Sequence, residues 1–200
     1  MSSPAEVTPA RAVVQARRPR RDDAIDVAEQ MLRRGERVDM QTVADALDIG
    51  RATLYRWVGD REKLMDEVLG RLVAKNWRTA RVDPDGESLD AVLATIAGFM
   101  AATAAWPPVL DFAEREPDLA LRILLAAQGN VADGIRLGLE ETLALHLPGR
   151  DVAPATLDVL VRIGAALQWA NVAAGNPPDI DTAVEAARAL LTIALAAPRD

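Results

Sequence analysis

Cysteine is absent from this chain of 200 residues, and histidine occurs once, at His146. The first absence removes disulfides, thiol nucleophiles and zinc–thiolate sites, and it fits a cytoplasmic protein without requiring one. The second rules out a multi-histidine metal site within one subunit. Aromatic residues make up only 4% of the chain, with one Tyr and two Phe, while Ala and Leu dominate. That balance favours helices over sheet. No glycine-rich phosphate loop occurs, and no nucleophile–His–acid set can be built around His146 from spacing. His146 precedes Leu147-Pro148-Gly149 and is expected to cap helix carbonyls. No catalytic residue, metal ligand or cofactor is expected, and the chain reads as a non-enzyme.

Long apolar runs are also missing. The N-terminal arginines are followed by no apolar stretch, so no secretory signal is expected. The longest uncharged run, Ala91 to Leu110, is mostly Ala, Thr and Gly, and Pro107-Pro108 ends its helix near Trp106. About 16 residues at ~1.5 Å each give ~24 Å, short of a ~30 Å bilayer core. A buried helix is expected there, and no membrane partner.

Hydrophobic residues make up 50% of the chain, enough to bury one sizeable domain or two smaller ones. The net charge of −7 is unevenly spread. Residues 1–81 carry 16 Lys and Arg against 13 Asp and Glu, while residues 82–200 carry 7 against 17. A basic N-terminal part on an acidic remainder suits a protein whose one part meets phosphates.

The most informative stretch runs from Asp39 to Met65. Asp39 is a natural N-cap, and Val43, Ala44 and Leu47 form a small apolar face. Asp48 and Gly50 bracket a turn. From Arg51 to Trp57, Leu54 can point inward while Arg51, Thr53, Tyr55 and Arg56 face out, as a helix reading the major groove requires. Gly59 and Asp60 end that helix and begin the next, with Glu62 in its first turn.

This stretch resembles the helix-turn-helix of the TetR family of bacterial transcriptional regulators. Thr53-Leu54-Tyr55, Trp57-Val58 and Arg61-Glu62-Lys63-Leu64 follow the family's Thr-Leu-Tyr-x-His-Phe-x-x-Lys-Glu-x-Leu. Trp57 stands where His is common, Val58 where Phe is, Arg61 where Lys is, and Asp48 replaces the usual turn glycine. The resemblance covers residues 20–70. It implies an all-α fold with a three-helix DNA-binding head and a larger helical domain that binds a ligand and dimerises.

Arginine can donate two parallel hydrogen bonds to guanine, so Arg51 and Arg56 are the expected base readers, with Ala52 beside them on the reading helix. By its place in the motif, Gln41 resembles a further base contact. Thr53, Tyr55, Trp57 and Arg61 look like phosphate anchors; for Trp57, burial against the following helix is the alternative. Arg17, Arg18, Arg20 and Arg21 form either a solvated tail or a basic arm reaching phosphates or the minor groove, and Arg20 and Arg21 join the DNA-binding set.

In chain order, residues 1–16 are expected to be a disordered tail, 17–65 the DNA-binding domain and 66–200 the ligand-binding and dimerisation domain. Helices are expected over Asp22–Arg34, Asp39–Leu47, Arg51–Trp57, from Asp60 to about Arg81, Ser88–Trp106, a short one to Arg115, Pro117–Ala126, from Gly129 or Asn130 to His146, Pro154 to about Ala174, and Asp181–Ala196. The fourth, leaving the head for the second domain, is the proposed lever, and Trp77 near its end is expected to pack. The last two hold little charge, and Leu157, Leu160, Val161, Gly164, Leu167 and Val172 cover more than one face. They form either a homodimer interface, as in the TetR family, or the centre of a monomeric bundle.

The resemblance also implies an effector pocket in the second domain. Phe99, Met100, Trp106, Phe112, Gln128, Gln168, Trp169 and Asn171 are the candidates; Trp106 and Phe112 read equally as core. Buried amides such as Gln168 and Asn171 need partners, which a ligand, a backbone carbonyl or a second subunit can supply. Few basic residues there favour a neutral or cationic small molecule. The segment Phe112–Arg122 is similar to regulators of quorum-signal degradation within the family, without identifying a ligand. The expected function is a repressor that leaves a pseudo-palindromic double-stranded operator when a small molecule binds. The alternatives are a ligand-independent DNA-binding regulator and a helical small-molecule-binding protein or enzyme.

Overall fold

The computed structural model describes residues 18–80 and 86–196. The expected tail at 1–16, Arg17 and most of the loop before Gly86 lie outside them. The described residues contain helices and no strand: α1 (Arg21–Arg33), α2 (Met40–Ala46), α3 (Arg51–Val58), α4 (Arg61–Ala80), α5 (Leu89–Ala104), α6 (Pro107–Arg115), α7 (Pro117–Leu124), α8 (Asn130–His146), α9 (Pro154–Ala165), a π-helical turn (Ala166–Ala170), α10 (Asn171–Ala173) and α11 (Ile180–Ala196). The chain divides into two compact units, Met1–Val68 and Leu69–Asp200. Among the described residues no single helix is long and apolar enough to cross a membrane; α5 and α6 reach that composition only as a pair bent by 61°.

In the first unit, α1, α2 and α3 pack on one another. Ile25, Ala28, Val43, Ala44, Leu54, Leu64 and Val68 are fully buried there. Each large side chain of that set contributes roughly 1.5–3 kcal/mol by leaving water. Helix α1 ends in a Schellman motif: Gly35 at φ 69° donates to Leu32 O at 2.9 Å, and Glu36 donates to Met31 O at 2.9 Å. Asp39 caps α2, accepting from the N–H groups of Gln41 (2.9 Å) and Thr42 (3.1 Å). The α2–α3 turn repeats the Schellman pattern with Asp48 at φ 53°, as Ile49 donates to Ala44 O and Asp48 to Asp45 O. Asp60 caps α4 by accepting from Lys63 N at 2.9 Å.

In the second unit, α11 packs on α5 and α9, α8 packs on α5 and α9, and α6 packs on α7. Trp77 is buried here as expected. Its indole N–H donates to Thr142 Oγ1 at 2.9 Å, and its ring lies 4.1 Å from that of Phe99. Asn76 donates to Thr103 Oγ1 and to Phe99 O. One expected helix is not continuous. The segment begun at Pro154 opens into the π-helical turn at Ala166–Ala170, where Gln168 and Trp169, adjacent in sequence, are both buried. His146 also departs from expectation. It is buried, and its Nδ1 lies 3.3 Å from the carbonyl of Gly86 rather than capping its own helix.

Candidate nucleic-acid interface

The inner side of α3 is secured by two residues, Leu54 and Val58, both buried. The eight-residue helix therefore turns the rest of its surface outward. Arg51, Ala52, Tyr55 and Arg56 are exposed, and Thr53 and Trp57 are half-buried. The Arg51 guanidinium carbon lies 5.9 Å from the Tyr55 ring centre, one turn along the same face. This stacking holds the arginine alongside the helix while leaving its donors free to reach a planar acceptor pair.

Helix α2 exposes Gln41, Thr42 and Asp45. The Gln41 side-chain amide donates through Nε2 to Asp45 Oδ1 at 2.7 Å. Asp39 holds the first turn, and the Thr42 backbone N–H, more than that of Gln41, keeps its carboxyl below its ordinary pKa, helped by the charge of Arg37. The sequence reading passed over Asp45, although its spacing of four from Gln41 on a helix is the signal for such a pair.

Two expected phosphate contacts are engaged inside the first unit. Arg21 meets Glu67 through both terminal nitrogens and donates from Nε to Trp57 O at 2.9 Å. Arg61 donates from Nε to Val38 O. The Arg21 guanidinium therefore braces the end of α3, and that of Arg61 ties the start of α4 to the segment before α2. Arg18 and Arg20 are exposed, and the Arg20 backbone N–H is held by Asp23 Oδ2 at 2.7 Å.

The expected effector residues scatter. Phe99, Met100, Gln168 and Trp169 are buried, and Gln168 Nε2 donates to the Met100 carbonyl at 3.2 Å, joining the π-helical turn to α5. Phe112 is buried in α6, Trp106 is half-buried at the start of α6, and Asn171 is half-buried. Gln128 is exposed in the bend between α7 and α8. Among the described residues no cluster of His, Asp or Glu could hold a metal ion.

Comparison with known proteins bears on the whole chain. Residues 88–192 match the model of the tetracyclin repressor-like C-terminal domain. The solved structure of the R. erythropolis transcriptional repressor QsdR, from the TetR family, is similar at a TM-score of 0.78 and 25% identity, over 90% of this chain and 96% of that one. The fold is also that of the TetR family repressor AlkX from Dietzia sp. strain DQ12-45-1b, at a TM-score of 0.58 and 21% identity over 88% and 95% of the two chains. No curated protein matches the sequence. With its C-terminal domain matched over more than half its length and its helix-turn-helix in place, the chain belongs to the TetR family of transcriptional regulators.

Proposed function

We propose that this DNA-binding regulator is a repressor that grips a pseudo-palindromic operator as a homodimer and leaves it when a small molecule binds. The observation that carries the reading is the outward face of α3. Arg51, Tyr55 and Arg56 stand exposed over a base of Leu54 and Val58. Arg51 and Arg56 read guanine edges, and Gln41 and Ala52 lie against neighbouring bases. Thr53, Tyr55, Trp57 and Arg20 anchor phosphates, while Arg21 braces the end of the reading helix through Trp57 O and Arg61 ties the start of α4 to Val38 O. Two heads a helical turn apart, ~34–36 Å, meet successive major-groove faces of one duplex side.

The homodimer forms through α9, the π-helical turn and α11. Val159, Ala166, Ala170 and Ala173 on the one side and Ala189, Ile193 and Ala196 on the other are exposed and uncharged. The effector is a neutral or cationic small molecule taken by the second unit near Met100, Gln168 and Trp169. Helix α4 belongs to both units, so a change in how its later half is held passes into the head along one backbone. Binding releases DNA only through a difference in affinity between two conformations. A cytoplasmic location follows from this function. One observation favours a second reading, a regulator without an effector: the amide nitrogen of the buried Gln168 already donates to a partner within the chain, Met100 O.

Fluorescence anisotropy on duplexes selected from a randomised pool tests the first claim, with wild type and Arg51→Ala/Arg56→Ala at two salt concentrations. Each lost arginine contact costs about 1–3 kcal/mol on the selected site. Failure of wild type to select any sequence, or equal binding by the double variant, overturns the assignment of the reading face. Screening neutral and cationic compounds for release of that complex separates the two readings of the second unit.

A further inference from the structure

Exposed glutamines at a DNA-binding surface are ordinarily ambiguous. A free amide can turn over, offering its oxygen to a base amino group or its nitrogen to a base carbonyl, and either choice costs little. Gln41 lacks that freedom. Its Nε2 lies 2.7 Å from Asp45 Oδ1, and a carboxylate can only accept, so the nitrogen must be the atom facing it. The amide is thereby fixed with Oε1 directed away from Asp45, and Oε1 has no hydrogen bond among the described residues. Both side chains are exposed and one turn apart on α2. The first turn of that helix is itself held by Asp39. What the pair shows to solvent is thus two acceptor oxygens, the amide oxygen of Gln41 and the remaining carboxylate oxygen of Asp45, beside the second N–H of Gln41 Nε2.

We propose that Asp45 is a positioning residue that fixes Gln41 as an acceptor, so that this helix selects a base presenting an amino group in the major groove. Adenine offers N6 there and cytosine N4, while thymine and guanine offer O4 and O6, which two acceptors repel. Every base pair carries one amino and one carbonyl group, so the pair reads which strand bears the amino base. The negative charge of Asp45 also weakens binding to every duplex equally, through the phosphates. Selectivity at one position and general affinity are therefore set in opposite directions by the same carboxylate. This inference rests on the DNA-reading assignment of α2 and α3.

The test uses the full chain and the duplex that wild type selects from a randomised pool, with all four base pairs placed in turn at each position. Wild type is expected to favour A or C over T or G by at least about fivefold at one position of each half-site. Asp45→Ala frees the amide to turn over, so it loses that preference while binding all duplexes more tightly. Asp45→Asn, whose amide can donate as well as accept, likewise lets Gln41 turn over, so it tightens binding generally and loses the preference. Gln41→Ala loses the preference without the general gain. A preference unchanged in Asp45→Ala overturns the inference, and so does a Gln41-dependent position at which A·T and C·G are not favoured together over T·A and G·C. If in the same series Arg51→Ala/Arg56→Ala abolishes selective binding, the reading face stands and only the role of Asp45 falls. If wild type selects no duplex at all, the DNA-reading assignment falls, and this inference with it.

Discussion

The indole of Trp77 lies directly over Gly138. A Cβ placed on that glycine would stand 2.3 Å from Cδ2 of the ring and 2.4 Å from Cγ. The ring cannot yield, since it is buried, bonded through its N–H to Thr142 and stacked beside Phe99. Gly70 and Gly134 belong to the same close crossing. A Cβ on Gly70 would meet the backbone of Asn130 at 2.8 Å, and one on Gly134 would meet Val73 at 3.2 Å. Helix propensity alone would gain up to about 1 kcal/mol from Gly138→Ala, but overpacking costs about 1–3 kcal/mol, so the clash wins. Gly138→Ala is expected to lower the urea midpoint. Gly98→Ala, whose Cβ would meet only Ala80 O at 3.7 Å, is expected to raise stability by ~0.5–1 kcal/mol. A stabilised Gly138→Ala would show that α4 and α8 are not held this closely.

The cap of α2 carries a pH dependence whose sign is fixed. Asp39 accepts from Thr42 and Gln41 N–H groups, which lowers its pKa in the folded chain. A carboxylate lowered on folding stabilises above its unfolded pKa of about 4, and that contribution is lost as pH falls through the lower folded value. Asp39→Ala is expected to cost about 1 kcal/mol near neutral pH. Its difference from wild type should narrow below about pH 4. Asp39→Asn still caps and carries no charge, so it should keep most of the stability with no such narrowing. Denaturant midpoints across pH decide this; a constant wild-type-to-alanine difference down to low pH would refute the charged cap.

Much of this was legible because short-range chemistry decided it. Gly35, Asp39, Gly59 and Asp60 mark helix ends by backbone requirements that a neighbour cannot override, and the structure places the ends within a residue or two. Prolines 107, 117 and 154 likewise open their helices. The π-helical turn was not legible, because Leu167-Gln168-Trp169 suits an α-helix equally. Nor was the bond from His146 to Gly86, which joins positions 60 apart. On the reading face the arginines were visible as types, but their division was not. Arg51 and Arg56 face out, whereas Arg21 and Arg61 find partners 46 and 23 positions away. Sequence spacing cannot count such partners.

The residue at the α2–α3 turn offers a backbone test. Asp48 sits at φ 53°, where L-residues lose roughly 1–2 kcal/mol and Asp, Asn and Gly lose least. Asp48→Gly is expected to be neutral or stabilising, since relief in the folded state offsets the added freedom of the unfolded chain. Asp48→Val is expected to cost about 1–2 kcal/mol. Thermal unfolding of the two variants separates the causes. If the glycine variant loses as much as the valine variant, a side-chain contact of Asp48 rather than its backbone angle holds the turn.

The proposed homodimer can be tested at Ile193. This residue is 71% exposed in the last turn of α11, and Val159 on α9 is 42% exposed. Leaving an isoleucine this open forgoes the roughly 1.5–3 kcal/mol its burial would give. A facing copy recovers that, and in a two-fold interface each copy recovers it at once. Ile193→Asp replaces the apolar contact with a charge that would face its own image, so the dimer is expected to dissociate to monomers at micromolar concentration. Val159→Asp should act in the same direction. Because both side chains are exposed in the single chain, neither change should lower the monomer's own stability by more than about 0.5 kcal/mol. Light scattering gives the mass and circular dichroism the fold. A folded Ile193→Asp chain that keeps the wild-type dimer mass would move the interface elsewhere. A folded monomer that has also lost tight operator binding would tie the grip on two half-sites to this one apolar contact.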